Sequence, residues 1–202
     1  MDKIDQAKEL KVEGLQSLIA KRWSPRTFSD KDVEPEKVKL LFEAARWAPS
    51  CYNEQPWTYI LGSKKTCPET YDKVLSTLVE FNQGWAKSAP LLILAVAHLK
   101  FSKNQNENLW GKYDLGQASA QLAIQATHMG LHVHQMGGYD GEKARTTFNI
   151  PSDFVVCAAM AVGYLGPLEQ LPEQMQKLES GPRERKGLSD MVVSTWGTPS
   201  KL

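Results

Sequence analysis

The chain has 202 residues, 42% of them hydrophobic, which is enough apolar material for one domain with a buried core. Its 24 Lys and Arg against 23 Asp and Glu leave a net charge of +1, which disfavours a nucleic-acid-binding protein, because such proteins usually carry a basic excess on one face. The longest apolar run, residues 89–97, is too short to span a bilayer, and the first 14 residues are too rich in charge for a secretory signal. We therefore expect a soluble, cytoplasmic protein that binds neither nucleic acid nor membrane.

The first half of the chain predicts three helices and one strand. Residues 5–21 carry apolar side chains on one face and predict a helix, which a basic turn at 22–28 follows. A second helix begins at Pro35, which suits a first helical position, and is closed by Pro49. Residues 57–61 predict a strand stopped by Gly62, and residues 68–82 predict the third helix.

The second half adds three strands and two helices. Residues 91–97 are uninterrupted apolar residues of strand length and predict a central strand buried on both faces. Residues 100–112 are polar and predict a loop, and residues 113–129 predict a long helix ended by Gly130. A short strand over 131–136, a helix capped by Asp140 and running to 148, and a final strand over 154–164 complete the core.

Two features predict a partner subunit. The helix over 113–129 contains small residues that would let another backbone approach closely, namely Gly116, Ala118, Ala120, Ala123 and Ala126. Beyond residue 166 the chain becomes polar and Pro-bearing and predicts an extended tail with too few apolar residues to bury itself. We therefore divide the chain into a core domain over residues 1–166 and a C-terminal extension over residues 167–202 that wraps the partner.

Two basic clusters stand near opposite ends of this almost neutral chain. They are Arg22-Trp23-Ser24-Pro25-Arg26 and Arg183-Glu184-Arg185-Lys186. Guanidinium groups and a hydroxyl match the oxygens of a phosphate monoester, and a phosphate shared by both clusters would indicate a cofactor. On spacing alone, the first cluster could equally be a solvated turn and the second a flexible basic tail.

Further stretches complete a pattern that resembles the nitroreductase family of FMN-dependent oxidoreductases. Together with the two basic clusters, they are the run AARWAPSCYNEQPW at residues 44–57, the helix over 114–130, and the run GGYD at residues 137–140. The resemblance spans nearly the whole chain. It implies an α+β fold, an α/β/α sandwich with a mixed, largely antiparallel sheet, in an intertwined homodimer. FMN would bind at the interface, and the C-terminal tail would extend onto the partner subunit.

The resemblance also implies which residues hold the FMN. The phosphate and ribityl chain would contact Arg22, Ser24 and Arg26, with backbone contacts from Trp23, and the same phosphate would be closed off by Arg185 with Arg183 or Lys186 beside it. The other subunit would contribute Pro49, Ser50, Asn53 and Gln55. The segment at the reactive edge of the flavin would be Gln135, Met136, Gly137 and Gly138, with the two glycines bringing backbone N–H groups near N5.

No catalytic side chain is expected, because the flavin itself carries hydride chemistry. The resemblance implies that hydride passes from NADH or NADPH through FMN to quinone or nitroaromatic-type acceptors in a ping-pong cycle. Trp110 and Tyr113 lie where a substrate pocket wall is expected, and they either stack on substrate or pack within the protein. His132 and His134 share a strand face, but no third ligand is evident, so we expect no metal site.

Other hypotheses remain open at this point. One is a specialised flavoenzyme of the same fold, of the dehalogenase or flavin-cleaving type. A second is a protein that binds FMN without catalysis, and a third is a phosphate- or polyanion-binding module that takes no flavin.

Overall fold

The computed structural model describes residues 3–201, whose helices lie on both sides of one sheet. The helices are α1 (Lys3–Lys8), α2 (Ser17–Lys21), α3 (Pro35–Arg46), α4 (Pro68–Thr77), α5 (Glu80–Ala86), α6 (Gly111–His128), α7 (Gly141–Phe148) and α8 (Glu173–Ser180). The strands are β1 (Trp57–Ser63), β2 (Leu91–His98), β3 (His132–Met136), β4 (Phe154–Gly163), β5 (Val193–Thr195) and β6 (Thr198–Pro199). None of the helices within this range combines the length and the hydrophobicity that crossing a bilayer requires.

The main sheet has the strand order β1-β2-β4-β3, and each of its three pairings is antiparallel. β2 is buried along nearly its whole length, and its side chains alternate between two cores. Those at 92, 94 and 96 face α4, α5 and α7, whereas those at 91, 93, 95 and 97 face α3 and α6. The predicted α+β class, a sandwich with helices on both faces of a largely antiparallel sheet, is confirmed, as is the buried central strand.

The single helix predicted over residues 5–21 is wrong, because α1 and α2 are separated by a loop. Gly14 has a φ of 75°, a left-handed conformation that cannot continue a helix, and the side chain of Gln16 caps the start of α2. The backbone N–H of Leu10 donates to Ala20, so the two short helices fold back on each other. The apolar residues behind that prediction are only half-buried (Leu10, Leu15 and Leu18) or exposed (Ile19).

The helix predicted over residues 68–82 is also wrong, because α4 ends at Thr77 and α5 begins at Glu80. Leu78 and Val79 are extended, and they pair with the turn that follows β3. Leu78 bridges to Tyr139, and the N–H of Val79 donates to the Gly138 carbonyl at 3.1 Å. Long-range pairing has overridden a local helical pattern at this point.

The C-terminal segment is not an extended tail throughout, so that expectation is wrong for its first half. α8 and the residues before it pack on the core: Leu171 and Glu179 are buried, and the Thr27 hydroxyl donates to the Pro167 carbonyl at 2.8 Å. The second half ends in the β5–β6 hairpin, which is exposed along its length and leaves Trp196 99% exposed. A wrap around a partner stays a prediction for this second half.

Candidate functional site

The two basic clusters meet in one pocket. It is lined by Lys8 from the end of α1, by the turn at residues 22–26, and by the segment from α8 to Arg185. The pocket brings five cations together, Lys8, Arg22, Arg26, Arg183 and Arg185, against the two carboxylates of Glu179 and Glu184. This excess of positive charge in one small concavity is the arrangement expected of an anion site.

Two of the four arginines in the pocket are held by buried or helix-terminal protein groups. Arg26 Nη1 lies 3.2 Å from the buried Glu179 carboxylate, whose other oxygen accepts the Arg26 backbone N–H at 2.5 Å. Arg183 Nη1 donates to the carbonyls of Lys8 and Ala20, at 2.8 and 2.5 Å. These carbonyls belong to the last turns of α1 and α2, where intrahelical partners run out. Arg26 and Arg183 thus hold the walls of the pocket together.

The other two arginines, Arg22 and Arg185, make fewer hydrogen bonds to the protein. Arg22 Nη1 reaches only the Ser24 hydroxyl, at 3.3 Å, and Arg185 Nη1 donates only to the carbonyl of its neighbour Glu184, at 2.6 Å, among the described contacts. Burial, and then the charge of Arg185, lowers the pKa of Arg22, and burial with both neighbouring arginines lowers the pKa of Arg183. Because guanidinium stays protonated in proteins, these directions report first the cost of burying the charges and second their mutual repulsion, and a bound anion would offset both.

The remaining members of the two clusters play different parts. Trp23 is buried, and its indole Nε1 donates to Asp5 at 2.7 Å, so its side chain anchors α1. Lys186 is exposed and does not line the pocket. Lys8, which the sequence did not point to, is buried with its ammonium donating to the Gly181 carbonyl. No motif marks Lys8 or Glu179, because each acquires its role only when distant segments meet.

A glycine turn follows β3, next to the basic turn. His134 Nδ1 lies 2.8 Å from the Pro25 carbonyl and pins the basic turn to this strand, three residues before Gly137. A strand rise of about 3.3 Å per residue puts Gly137 roughly 10 Å further along. The turn is therefore near enough for one elongated ligand to reach both places.

The two glycines of this turn are not equivalent. A Cβ at Gly138 would lie 2.5 Å from Asn82 Nδ2, which itself donates to the Gly138 carbonyl at 2.9 Å, so close packing demands glycine. A Cβ at Gly137 would meet nothing within 4 Å, which leaves its backbone accessible. Of the two preceding residues, Gln135 is exposed and Met136 is buried in the core. Gln135 and Gly137 are thus the residues of this segment that are accessible to a ligand.

The stretch from Pro49 to Gln55 forms a constrained surface turn. Tyr52, Asn53 and Gln55 have left-handed φ angles of 53°, 57° and 52°. The Ser50 hydroxyl accepts the Gln55 N–H at 3.0 Å, and buried Asp114 accepts the N–H of Cys51 at 3.0 Å. Such strained backbone in non-glycine residues is found most often at functional sites.

Within one chain, this turn is not part of the basic pocket. Pro49, Asn53 and Gln55 are exposed and Ser50 is half-buried, and none of them lines the pocket among the residues that the structure describes. Trp110 and Tyr113 are also exposed, with ring centroids 6.5 Å apart at the start of α6. Within a single chain, these predicted site residues are therefore not part of the basic pocket.

Histidines 132 and 134 do not form a metal site with other groups. His132 Nε2 lies 3.4 Å from the Asp5 carboxylate, and His134 is engaged with the Pro25 carbonyl. Across residues 3–201, no group of three or more His, Cys, Asp or Glu side chains is arranged as metal ligands would be.

Comparison with known proteins places this chain in a family. The model of the nitroreductase family matches residues 19–164. An uncharacterised 15.4 kDa protein of Mycolicibacterium smegmatis is 30% identical, over 70% of this chain and 98% of its own length. A protein of Archaeoglobus fulgidus with the provisional name NADH dehydrogenase/NAD(P)H nitroreductase is 28% identical, over 73% of this chain and 83% of its own. A crystal structure described as an oxidoreductase containing FMN superposes with a TM-score of 0.86 at 29% identity, covering 96% of this chain and 98% of that one.

Proposed function

Since this chain belongs to the nitroreductase family, we propose that it is an FMN-dependent oxidoreductase. Its donor would be NADH or NADPH, and its acceptors would be quinones or nitroaromatic-type compounds, reduced in a ping-pong cycle. The observation that carries the proposal is that the two basic clusters, which begin at Arg22 and Arg183, meet at one pocket. The names of the relatives, which refer to NAD(P)H and FMN, support the choice of cofactors.

The residues present fit the phosphate of FMN. Arg22 and Arg185 offer guanidinium groups with few protein partners, and Ser24 adds a hydroxyl beside Arg22. Lys8 adds a further charge at the wall. Arg26 and Arg183 would act mainly by holding this cradle, Trp23 would contribute backbone contacts, and Lys186, next to Arg185 in the chain, would add positive charge from outside the pocket.

The glycine turn fits the edge of a flavin ring. The open backbone at Gly137 permits a close approach, and Gln135 lies exposed on the same strand end. Gly138 and Met136 would support this edge from within, because both are held by packing against the core. When bound, FMN supplies the hydride chemistry itself, so the protein has to bind and orient the cofactor and leave one face open to donor and acceptor.

We infer that the complete site requires a homodimer. The turn carrying Pro49, Ser50, Asn53 and Gln55 is exposed in one chain, and a second copy could bring it to the flavin. Large apolar side chains stand exposed in and beside α3 and α6, two helices that pack on each other, among them Leu40, Trp47, Trp110 and Tyr113. Of the small residues in α6, Ala118, Ala123 and Ala126 are buried in the chain's own core, whereas Gly116 and Ala120 are exposed and available to a partner helix. The expectation of a cytoplasmic location rests on the sequence alone.

The visible spectrum of the purified protein tests the proposal, first in air and then without oxygen after adding NADH or NADPH. We expect flavin absorption bands that bleach within the time of mixing and return when a quinone is added. Bands that persist with both nicotinamides would favour a flavoprotein without this donor chemistry. A colourless protein that takes up no added FMN would refute the proposal.

A further inference from the structure

A buried carboxylate stands in the wall of the basic pocket. Glu179 is only 2% exposed, and it lies on α8, outside the residues that the family model matches. One of its oxygens accepts the Arg26 N–H at 2.5 Å, and the other lies 3.2 Å from Arg26 Nη1. It therefore binds both the backbone and the side chain of the basic turn.

This placement opposes the binding of an anion. A fixed negative charge repels a phosphate in the same pocket, and burial of a carboxylate is unfavourable unless it is paired. Without a ligand, however, five cations surround the pocket, and Arg22, Arg183 and Lys8 all have lowered pKa values, with burial as the largest cause and neighbouring arginines contributing. A carboxylate in the wall offsets part of that repulsion.

We propose that Glu179 is a built-in counter-ion that competes with the ligand phosphate for Arg26. As a positioning residue, it holds the turn at residues 22–26 in its binding shape when no phosphate is bound. It also weakens the binding of the phosphate to the pocket, so that bound FMN dissociates and exchanges with free FMN instead of remaining bound permanently. This inference rests on the proposed FMN function.

The replacement Glu179→Gln separates these two roles. Glutamine keeps a carbonyl oxygen that can accept the Arg26 N–H, but it removes the charge. We expect the apo-protein to melt at a lower temperature, because Arg26 loses its counter-charge, while the affinity for FMN rises by about ten-fold, the size of one charge-assisted hydrogen bond. Riboflavin, which has no phosphate, should bind with unchanged affinity.

Two further variants provide controls. Glu173→Gln makes the same change of charge on the same helix, but its partner Lys177, at 2.9 Å, is largely exposed, so neither stability nor affinity should change. Glu179→Asp keeps a carboxylate and withdraws it by one methylene group. Because it keeps the charge, this variant should still fold even if the glutamine variant fails to fold. It should also tighten FMN binding, by a smaller factor than glutamine.

The measurements are fluorescence titrations of the apo-proteins with FMN and with riboflavin, and thermal melts without ligand. Weaker FMN binding in both Glu179 variants, in parallel with lower stability, would show a purely structural carboxylate and overturn the inference. An equal change for riboflavin would also overturn it, because the effect would not act through the phosphate. If the wild-type protein binds neither flavin, the proposed function itself fails, which is a different outcome from a reversed sign in the variants.

Discussion

Arg22 and Arg26 stand four residues apart in one turn, yet the structure predicts different consequences for their removal. Arg22→Ala removes a guanidinium whose described protein contact is one hydrogen bond of 3.3 Å to Ser24. Arg26→Ala removes the partner of buried Glu179. The first variant is therefore expected to affect the ligand, and the second to affect the fold as well.

The magnitudes follow from these contacts. Loss of Arg22 should weaken FMN binding by about 1.5–3 kcal/mol, the range of a hydrogen bond to a charged group, or roughly ten- to 150-fold. The free energy of unfolding of the apo-protein should be unchanged or slightly higher, because repulsion between Arg22 and Arg185 disappears. Loss of Arg26 leaves a carboxylate buried without its partner. Because the Arg26 side chain is 30% exposed, we expect a loss of about 2–3 kcal/mol of stability, below the 3–5 kcal/mol of a fully buried pair.

Two assays separate these effects: FMN titration of the apo-protein, and urea unfolding without flavin. Arg185→Ala, which removes the other guanidinium with few protein partners, should behave like Arg22→Ala. An affinity within two-fold of wild type in both Arg22→Ala and Arg185→Ala would refute the assignment of the phosphate site. Wild-type stability in Arg26→Ala would refute the structural role of its pair with Glu179.

Three other changes are expected to have distinct results. Gly138→Ala should lower the free energy of unfolding in urea by about 1–3 kcal/mol, because its Cβ would lie 2.5 Å from Asn82. Gly137→Ala should leave the stability unchanged and weaken only flavin binding. Equal stabilities of the two variants would contradict this. Ending the chain after Lys186 keeps the basic cluster but removes the exposed hairpin. Light scattering should then show a shift from dimer to monomer, and a fully retained dimer would contradict a tail that wraps the partner. Burial lowers the pKa of His134 to about 4, so the unfolded chain binds an extra proton between pH 6.5 and 4. Stability should therefore fall by up to about 3 kcal/mol as the pH falls through this window, and His134→Gln should flatten that slope; parallel slopes would exclude His134 as the cause.

Local patterns predicted the core of the fold well. Seven consecutive apolar residues at 91–97 predicted a strand buried on both faces, and that strand divides its side chains between the two cores. The helix starting at Pro35 and the helix capped by Asp140 were also predicted correctly. Such elements depend on hydrophobic period and on caps, which are encoded within a few residues of each other.

Local patterns were misleading where distant segments compete with them. The helical pattern over 68–82 breaks at Leu78 because that residue pairs with Tyr139, some sixty positions away, and nothing near Leu78 in the sequence signals this partner. The helix expected over 5–21 fails for a more local reason, the left-handed conformation of Gly14.

For the site, the sequence by itself determined that two basic clusters exist and that both could hold a phosphate, because residue type alone sets charge and hydrogen-bonding capacity. The tertiary structure decided how the individual cations are used. Arg26 is paired with Glu179, 153 positions along the chain, and Arg183 with carbonyls that α1 and α2 leave free, while Arg22 and Arg185 remain available. Local sequence patterns do not reveal this division, because an ion pair depends on which segments the fold brings together. Here folding brings residues 8–26 and 178–185 to one pocket.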